Sequence, residues 1–343
     1  MLQALISCSK AQQAIVKPLQ QAETKSQYFK NPLLPSGPDP WVIQRDGFYY
    51  YMNTGGGRIE IYKTKTLSQL SKAEKKVVYN APDTGADSKN IWAPELHFVN
   101  NKWYLYYTAG SSGDLATQRI FVLENSNLNP LEGEWIKKGQ VKDDAANFFS
   151  IDATVFSRNG KNYLIWSGHS SEKDNTQRLY VTRLGEPWAM DTLRVEISSP
   201  TYDWEKNGDP KVNEGPEILM NAQGSVFLIY SASGCWTDDY ALGMLSLKKD
   251  GDPLKPSDWI KSTQPVFAKK PENGAFGPGH NGFFKSPDGK EDWIIYHANS
   301  FAGQGCGDAR NPRMQKFTWN TDGTPNFGVP VKIDTQIQIP SGE

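Results

Sequence analysis

The segment Asn100-Asn101-Lys102-Trp103-Tyr104-Leu105-Tyr106-Tyr107 is a polar turn followed by an aromatic-rich run typical of a β-strand. The same phrase occurs five times along the chain, with Phe48, Trp103, Tyr163, Val226 and Trp293 at equivalent positions. The spacings between these markers are 55, 60, 63 and 67 residues. Such periods are typical of propeller blades expanded by loops.

Each phrase is preceded by another short apolar run, and most are followed by a third one, such as Arg119-Ile-Phe-Val-Leu. No strong helical stretch separates these runs. A long β-sandwich is the alternative, but a sandwich does not require repetition at this period. The sequence therefore predicts an all-β fold, a five-bladed β-propeller.

The register of the repeat predicts a shared site. Counting back seven residues from the turn that opens each phrase reaches Asp39, Ala93, Asp152, Glu214 and His280. The first strand of each propeller blade lines the central axis, so equivalent positions converge there. We therefore expect Asp39, Asp152, Glu214 and His280 to face a common pocket. The alternative is that they are ordinary turn and strand-start residues, where Asp is frequent.

The composition excludes several classes of function. Lys and Arg number 37 against 38 Asp and Glu, so no global charge recruits nucleic acid. The three cysteines form no CxxC pair, and the four histidines form no HxH or HExxH motif, which argues against a catalytic zinc site. The high aromatic content, 12% of residues, is typical of β proteins that stack rings on sugars.

The N-terminal part of the sequence lacks the repeat. Residues 1–30 read as a tether, and 31–343 as the propeller domain. Leu5-Ile6-Ser7-Cys8 resembles a bacterial lipobox, although the apolar stretch before it is short and has no basic start. A trimmed lipoprotein signal and a chance likeness both remain open. No apolar run reaches the length of a transmembrane helix.

Three carboxylates without nearby His or Cys ligands suggest a site for a hard cation or acid–base chemistry. No DxDxD-like calcium loop is present. Glycoside hydrolysis needs one carboxyl group that protonates the leaving oxygen and a second that activates water or attacks carbon. Tryptophans near these strands, including Trp41, Trp92, Trp166 and Trp236, offer stacking surfaces. Hydrolysis of a glycoside is therefore the favoured chemistry.

The chain resembles glycoside hydrolase family 43, the five-bladed arabinofuranosidases, arabinanases and xylosidases. The resemblance extends from about residue 31 to about residue 332. It rests on motifs in chain order: Gly37-Pro38-Asp39-Pro40, Ile91-Trp92-Ala93-Pro94-Glu95, Ser150-Ile151-Asp152-Ala153-Thr154, Asn213-Glu214-Gly215-Pro216-Glu217, Ser231 to Gly243, Gly277-Pro278-Gly279-His280-Asn281 and Pro312-Arg313-Met-Gln-Lys-Phe-Thr-Trp.

The resemblance implies an inverting mechanism with three carboxylates. It makes Asp39 the general base, Glu214 the general acid, and Asp152 the residue that orients the acid and raises its pKa. Glu217 is the competing candidate for the acid. Residues of odd separation on a strand point to opposite faces, and both the register and the family motif favour Glu214. Glu217 is then a packing or salt-bridge residue.

The resemblance also implies residues outside the carboxylate set. It places His280 on the axis beside a buried ion, often calcium, and the alternative is a buried histidine bonded to backbone. No cofactor is required for the chemistry. Arg313 resembles an arginine that contacts substrate hydroxyls, while Trp92 and Trp236 are expected to bind substrate. A Cys235–Cys306 disulfide is open if the protein is exported.

The leading hypothesis is an exo-acting α-L-arabinofuranosidase that acts on arabinan or arabinoxylan side chains, with an arabinose-containing plant polysaccharide or oligosaccharide as its partner. The same carboxylates serve β-xylosidases and endo-1,5-α-arabinanases, which stay as alternatives. A non-catalytic carbohydrate-binding propeller ranks below them, since all three carboxylates are present. We expect export, either secreted or periplasmic, with lipid anchoring at Cys8 in a bacterium as one route.

Overall fold

The computed structural model describes residues 27–143 and 145–343. Five antiparallel sheets follow one another along the chain, each built from consecutive strands. Blade one holds β2 (Trp41–Arg45), β3 (Phe48–Met52), β4 (Arg58–Thr64) and β5 (Glu74–Asn80); blade two holds β6 (Lys89–Val99), β7 (Lys102–Gly110), β8 (Arg119–Asn125) and β9 (Ile136–Gln140); blade three holds β10 (Ser150–Arg158), β11 (Lys161–Gly168), β12 (Arg178–Glu186), β13 (Ala189–Met190) and β14 (Val195–Ser198).

Blade four holds β15 (Asn213–Met220), β16 (Val226–Ala232), β17 (Ala241–Leu247) and β18 (Trp259–Lys261), and blade five holds β19 (Phe276–Lys285), β20 (Asp292–Asn299), β21 (Asn311–Trp319) and β22 (Pro325–Asn326). The described helices are short 3₁₀ segments at Leu67–Lys72, Leu115–Thr117, Asp203–Glu205, Pro256–Asp258 and Pro271–Asn273. No helix in the described part of the chain is long and apolar enough to cross a membrane.

The blades close into a ring around a central axis. The first strands β2, β6, β10, β15 and β19 contact one another in cyclic order, with β19 returning to β2. This arrangement is a five-bladed β-propeller, as the repeat predicted. Closure places the first strand of every blade at the axis, which is the geometry that the register argument requires.

The aromatic phrase of each repeat forms the second strand of a blade. Five hydrophobic clusters occupy the five interfaces between neighbouring blades. Because each blade is covered on both sides, its second strand is buried along nearly its whole length, and Trp103 and Trp293 are almost inaccessible to solvent. The repetition in the sequence therefore reflects a repeated packing requirement.

The first strands of the five blades share a backbone irregularity at or near their N-terminal ends. Five equivalent residues have a left-handed backbone, with φ of 55° at Asp39, 40° at Ala93, 57° at Asp152, 54° at Gly215 and 48° at His280. The pairing register shifts at the bulges in β6, β10, β15 and β19. A bulge re-aims the side chains beside it, and bulges are frequent next to active sites.

This observation corrects the predicted register in blade four. Gly215 occupies the position equivalent to Asp39 and Asp152, and Glu214 lies one residue earlier. The error comes from the turn that follows the strand. Met220 pairs with Val226 and leaves five residues in that turn, whereas blades one to three have two-residue turns. Counting back from the turn therefore goes one residue too far.

The ends of the described chain are tied together. β1 (Tyr28–Phe29) pairs with β23 (Ile337–Gln338) in a separate two-stranded sheet. Tyr28 and Phe29 belong to the segment predicted as tether, and they form this pairing outside the five blades. Residues 1–26, which include Cys8, lie outside the described residues.

Asn31 fastens this N-terminal segment to blade five. Its side-chain amide donates to the Met314 carbonyl at 2.9 Å and accepts from the Met314 N–H at 3.0 Å. The residue is 1% exposed. One side chain thus supplies the pair of hydrogen bonds that a neighbouring strand would make.

We expect Asn31→Ala to lower the free energy of unfolding by about 1–3 kcal/mol, because buried peptide groups of Met314 lose their partners. Urea unfolding followed by tryptophan fluorescence measures this loss. Asn175→Ala, at an exposed position, is the control. Equal stability of the two variants would show that the Asn31 amide does not fasten the N-terminal segment.

Candidate active site

A pocket of about 270 Å³ opens at one end of the propeller axis. The four residues expected to converge there all line it, although Glu214 reaches it from one residue before the predicted register. The lining consists of Asp39, Thr54, Trp92, Leu115, Phe149, Ile151, Asp152, Gln177, Glu214, Cys235, Trp236, His280, Cys306 and Arg310. Every blade contributes to this set, so the pocket exists only when the ring is closed.

Asp39 is held as an ionised carboxylate. Arg310 donates to Oδ1 at 2.7 Å, and the Thr54 hydroxyl donates to Oδ2 at 2.6 Å. Burial alone would raise the pKa of Asp39, but Arg310, His280, His297 and the Thr54 hydrogen bond outweigh burial and hold the pKa well below its usual range. Asp39 therefore carries its negative charge at any working pH and can accept a proton.

The pKa of Glu214 is raised, whereas that of Asp39 is lowered. Burial is the largest cause and raises its pKa, the hydrogen bond from Tyr240 opposes that rise, and the negative charge of Asp39 adds to it. The resulting pKa is about 7. The Tyr240 hydroxyl donates to Glu214 Oε1 at 2.8 Å. Near neutral pH a large fraction of Glu214 is therefore protonated and able to donate.

Asp152 interacts electrostatically with both Asp39 and Glu214. Its Oδ2 accepts the Gly215 N–H at 3.0 Å, and its own N–H donates to the Thr108 hydroxyl at 3.2 Å. Burial, then the charges of Glu214 and Asp39, raise its pKa well above the usual value. Asp152 and Glu214 thus compete for a proton. The negative charge of Asp39 adds to the rise in the pKa of Glu214.

Two histidines support the carboxylates from within the propeller. His280 Nδ1 lies 3.3 Å from Asp39 Oδ1 and 4.0 Å from Asp152 Oδ2. His297 is fully buried, and its Nδ1 accepts the Asp39 N–H at 3.0 Å. Burial lowers the pKa of both histidines, so they are neutral near pH 7. They fix the position of Asp39 while Arg310 supplies the positive charge.

The described part of the chain contains no metal-binding cluster of His, Cys, Asp and Glu side chains. Across residues 27–143 and 145–343, no three His, Cys, Asp or Glu side chains converge in a metal-binding arrangement. A cation beside His280 would need water for most of its ligands.

The expectation for Arg313 is wrong. This side chain is fully buried inside blade five and bonds to Asn311 Oδ1, the Gly274 carbonyl and the Ser300 hydroxyl, at 2.8, 2.8 and 3.1 Å. Arg310 lines the pocket instead. Arg310 immediately precedes β21, at its pocket end, whereas Arg313 lies inside the strand.

Glu214 and Glu217 lie in different surroundings, and of the two it is Glu214 that lines the pocket. Glu217 does not line the pocket; its Oε2 accepts from Trp41 Nε1 at 3.2 Å and from the Thr154 hydroxyl at 3.3 Å. Relative to the left-handed residue of its strand, it occupies the same position as Glu95 and Thr154, two residues further on. The bulge at Gly215 separates the two glutamates into successive layers along the axis.

The sequence reasoning missed three polar residues that line the pocket, Thr54, Gln177 and Arg310, and it also missed Tyr240, which donates a hydrogen bond to Glu214. Gln177 Oε1 accepts from the Ser167 hydroxyl at 3.1 Å, which leaves its amide nitrogen available to the pocket. Tyr240 belongs to the Ser231–Gly243 stretch that carried the family resemblance, but nothing in that stretch marks it as a partner of Glu214. These residues come from loops and strand ends, whose positions depend on blade packing.

The mouth of the pocket is aromatic on two sides. Trp92 and Trp236 both line it, as expected, and Trp236 is 43% exposed. Phe149 also lines the pocket and stacks on His169 with ring centroids 4.3 Å apart. A Cys235–Cys306 disulfide, which the sequence left open, joins the loops of blades four and five at the rim.

Comparison with known proteins agrees with this geometry. The family model described as "Glycosyl hydrolases family 43" matches residues 29–325. The extracellular exo-α-(1→5)-L-arabinofuranosidase of Streptomyces avermitilis is 42% identical over 311 residues, with 88% of this chain and 64% of that protein covered. The protein of the same description from Streptomyces chartreusis is 40% identical over 277 residues, with 80% and 83% covered.

Among solved structures, the α-L-arabinofuranosidase of Lactobacillus brevis superposes with a TM-score of 0.83 at 35% identity. That match covers 90% of this chain and 98% of the other. The chain spans 64% of the length of the Streptomyces avermitilis relative, so that protein contains a further part that has no counterpart in the matched region.

We expect the disulfide at the pocket rim to stabilise the fold by about 4 kcal/mol, because it closes a loop with a sequence separation of 71 residues. The double variant Cys235→Ser/Cys306→Ser should lose most of this stability in urea unfolding, and Cys8→Ser should lose none. A thiol titration of the denatured, unreduced protein, produced without lipidation, should count one free thiol, that of Cys8. A count of three would refute the disulfide.

Proposed function

The chain belongs to glycosyl hydrolase family 43, and from that premise we propose that it is an inverting, exo-acting α-L-arabinofuranosidase. The observation that carries the proposal is the opposite perturbation of Asp39 and Glu214 in one pocket. Ion pairing with Arg310 keeps Asp39 ionised against the opposing effect of burial, while burial raises the pKa of Glu214 to about 7. Two carboxyl groups whose environments push their pKa values apart are suited to act as base and acid.

In the proposed mechanism Asp39 accepts a proton from a water molecule, and the water oxygen attacks the anomeric carbon. Glu214 donates its proton to the glycosidic oxygen as the bond to the leaving group breaks. Attack from the face opposite the leaving group inverts the anomeric configuration. Asp152 accepts the Gly215 N–H, and so fixes the backbone next to Glu214. No step requires a cofactor, and none is routed through a cation at His280.

The choice of sugar rests on the relatives. Two Streptomyces relatives are described as exo-α-(1→5)-L-arabinofuranosidases, and the Lactobacillus brevis structure is an arabinofuranosidase. The pocket volume of about 270 Å³ lies below the roughly 300–1,000 Å³ of sites for drug-sized ligands and suits a terminal sugar unit. We infer an arabinose-containing plant polysaccharide or oligosaccharide as the substrate, with Trp92, Gln177 and Trp236 contacting it.

We also propose that the protein is exported. Both Streptomyces relatives are described as extracellular, and a disulfide is stable in an oxidising compartment. Lipid anchoring at Cys8 is part of this proposal and rests on the Leu5-Ile6-Ser7-Cys8 motif alone.

Proton NMR of the anomeric signals tests the function directly. The protein is incubated with p-nitrophenyl α-L-arabinofuranoside, p-nitrophenyl β-D-xylopyranoside and linear arabinan, with Asp39→Asn as the inactive control. We expect β-arabinose as the first product of the arabinoside and free arabinose from arabinan. First appearance of α-arabinose would overturn inversion. Turnover of the xyloside alone would make the enzyme a β-xylosidase, and shortening of arabinan without free arabinose would make it an endo-arabinanase.

Tyr240→Phe should move the alkaline limb of the pH–rate profile to higher pH. Glu214 must hold its proton, so kcat/KM should fall as pH rises through about 7. The Tyr240 hydrogen bond stabilises the charged form of Glu214, and without it the pKa of Glu214 rises. A hydrogen bond to a charged group is worth about 1.5–3 kcal/mol, so we expect a displacement of about one to two pH units.

Tyr230→Phe is the matched control for this prediction. Its hydroxyl donates to Glu205 at 2.9 Å, and Tyr230 is absent from the pocket lining, so the variant loses a buried hydrogen bond without touching the acid. The alkaline limb of this control should stay where it is. A limb that stays in place in Tyr240→Phe, or moves equally in both variants, would contradict the assignment of Glu214.

A further inference from the structure

A second layer of side chains lies along the propeller axis, next to the layer that carries the catalytic carboxyl groups. Each first strand contributes to it the residue two positions after its left-handed residue. These five residues, which we call the second axial layer, are Trp41, Glu95, Thr154, Glu217 and Gly282. None of the five lines the pocket, so their contacts serve the site only through the strands that they share with it.

One carboxyl oxygen in this layer joins three strands. Oε2 of Glu217 accepts from Trp41 Nε1 at 3.2 Å and from the Thr154 hydroxyl at 3.3 Å. Trp41 belongs to β2 in blade one, Thr154 to β10 in blade three, and Glu217 to β15 in blade four. Blades one and four are not neighbours in the ring, so the hydrogen bond between Trp41 and Glu217 spans the axis.

The same three strands position the three carboxyl groups of the pocket. Asp39 lies just before β2, Asp152 lies on β10, and Glu214 lies on β15. Each of these carboxyl groups is two or three residues from the member of the second axial layer on its own strand. A change in the bonds of Glu217 therefore moves the backbone on which these groups stand.

The indole of Trp41 is held from the opposite side as well. Its ring centroid lies 5.0 Å from that of His97 in blade two, and His97 Nε2 lies 2.8 Å from Glu95 Oε2. Trp41 is 5% exposed. Blade two thus fixes the ring while the indole N–H reaches blade four, which makes the link to Glu217 a defined one.

We propose that Glu217 is a positioning residue that sets the separation of the base Asp39 and the acid Glu214 through its hydrogen bond to Trp41. This inference rests on the proposed function. In an inverting hydrolysis both carboxyl groups act in one transition state, at a separation of roughly 6.5–9.5 Å that leaves room for water. The two groups stand on blades that are not adjacent, so strand packing between neighbours does not fix this separation directly.

Glu217→Gln is the conservative replacement. Although Glu217 is only partly buried, loss of hydration is the largest cause that raises its pKa well above the usual range, and Glu95 adds to it against the hydrogen bonds from Trp41 and Thr154. The uncharged carboxyl group is therefore favoured, and glutamine preserves both its neutrality and the oxygen that accepts from Trp41. Glu217→Leu fills the space but offers no acceptor.

The test measures kcat and KM for α-1,5-L-arabinobiose, at the pH optimum of each variant, so that a shifted pKa of Glu214 does not count as lost positioning. We expect Glu217→Leu and Trp41→Phe to lower kcat by about tenfold or more and to change KM by less than about twofold, because misplaced catalytic groups slow the chemical step while the contacts to substrate remain. Glu217→Gln should retain most of kcat. In the double variant Trp41→Phe/Glu217→Leu, kcat should fall no further than in Glu217→Leu, since both changes break the same bond.

Trp293→Phe is the matched control. The indole Nε1 of Trp293 donates to Glu291 Oε2 at 3.1 Å, two residues earlier in the chain, and Trp293 is absent from the pocket lining. This variant loses the same ring volume and an equivalent indole–glutamate hydrogen bond, but no link across the axis. Its kcat should equal that of the unchanged protein.

Thermal unfolding shows whether each variant is folded at the assay temperature, and Trp41→Phe tests the same bond if Glu217→Leu does not fold. Unchanged kcat in a folded variant that lacks the bond would overturn the inference. An equal loss of kcat in Trp293→Phe or in Glu217→Gln would overturn it too, and so would a rise in KM without a loss of kcat. Failure of the proposed function has a different signature, since the unchanged protein would then release no arabinose from the biose.

Discussion

The contact on which the site depends is the 2.7 Å ion pair between Arg310 and Asp39. Among the described residues that line the pocket, Arg310 is the one permanently charged cation, and it faces three buried carboxyl groups. A buried charge without a partner is strongly unfavourable, so this pair allows one carboxylate to remain ionised. The charge that Asp39 retains then raises the pKa of Glu214. The proposed base thus helps to keep the proposed acid protonated.

The ion pair in turn depends on ring closure. Asp39 lies in the first blade and Arg310 in the last, 271 residues apart, and they meet because β19 packs against β2. Bulges in the first strands tilt individual residues toward the pocket, and the left-handed backbone at Asp39 and Asp152 is strain that the surrounding blades must hold. Blade packing supplies that restraint, so the stability of the fold and the geometry of the site share one cause.

The period of the repeat was sufficient to predict the blades and part of the site. Residues whose positions depend on turns and loops were missed. Five aromatic phrases predict five blades, because each second strand must be covered on both sides. The convergence of Asp39 and Asp152 followed from the same period. The register failed by one residue at Glu214, where a longer turn and a bulge shift the count. Arg310 was missed in favour of Arg313, because only the start of β21 shows which arginine reaches the pocket.

The residues that line the pocket lie on two kinds of structural element, strands and loops. Asp152, Glu214 and His280 lie on first strands at the axis, and Asp39 lies just before one. Trp236, in contrast, lies on a loop that needs its own support. The disulfide at the rim supplies part of that support. Relatives of this chain are described both as arabinofuranosidases and as endo-arabinanases. Loops on a rigid scaffold are where such differences in substrate generally arise.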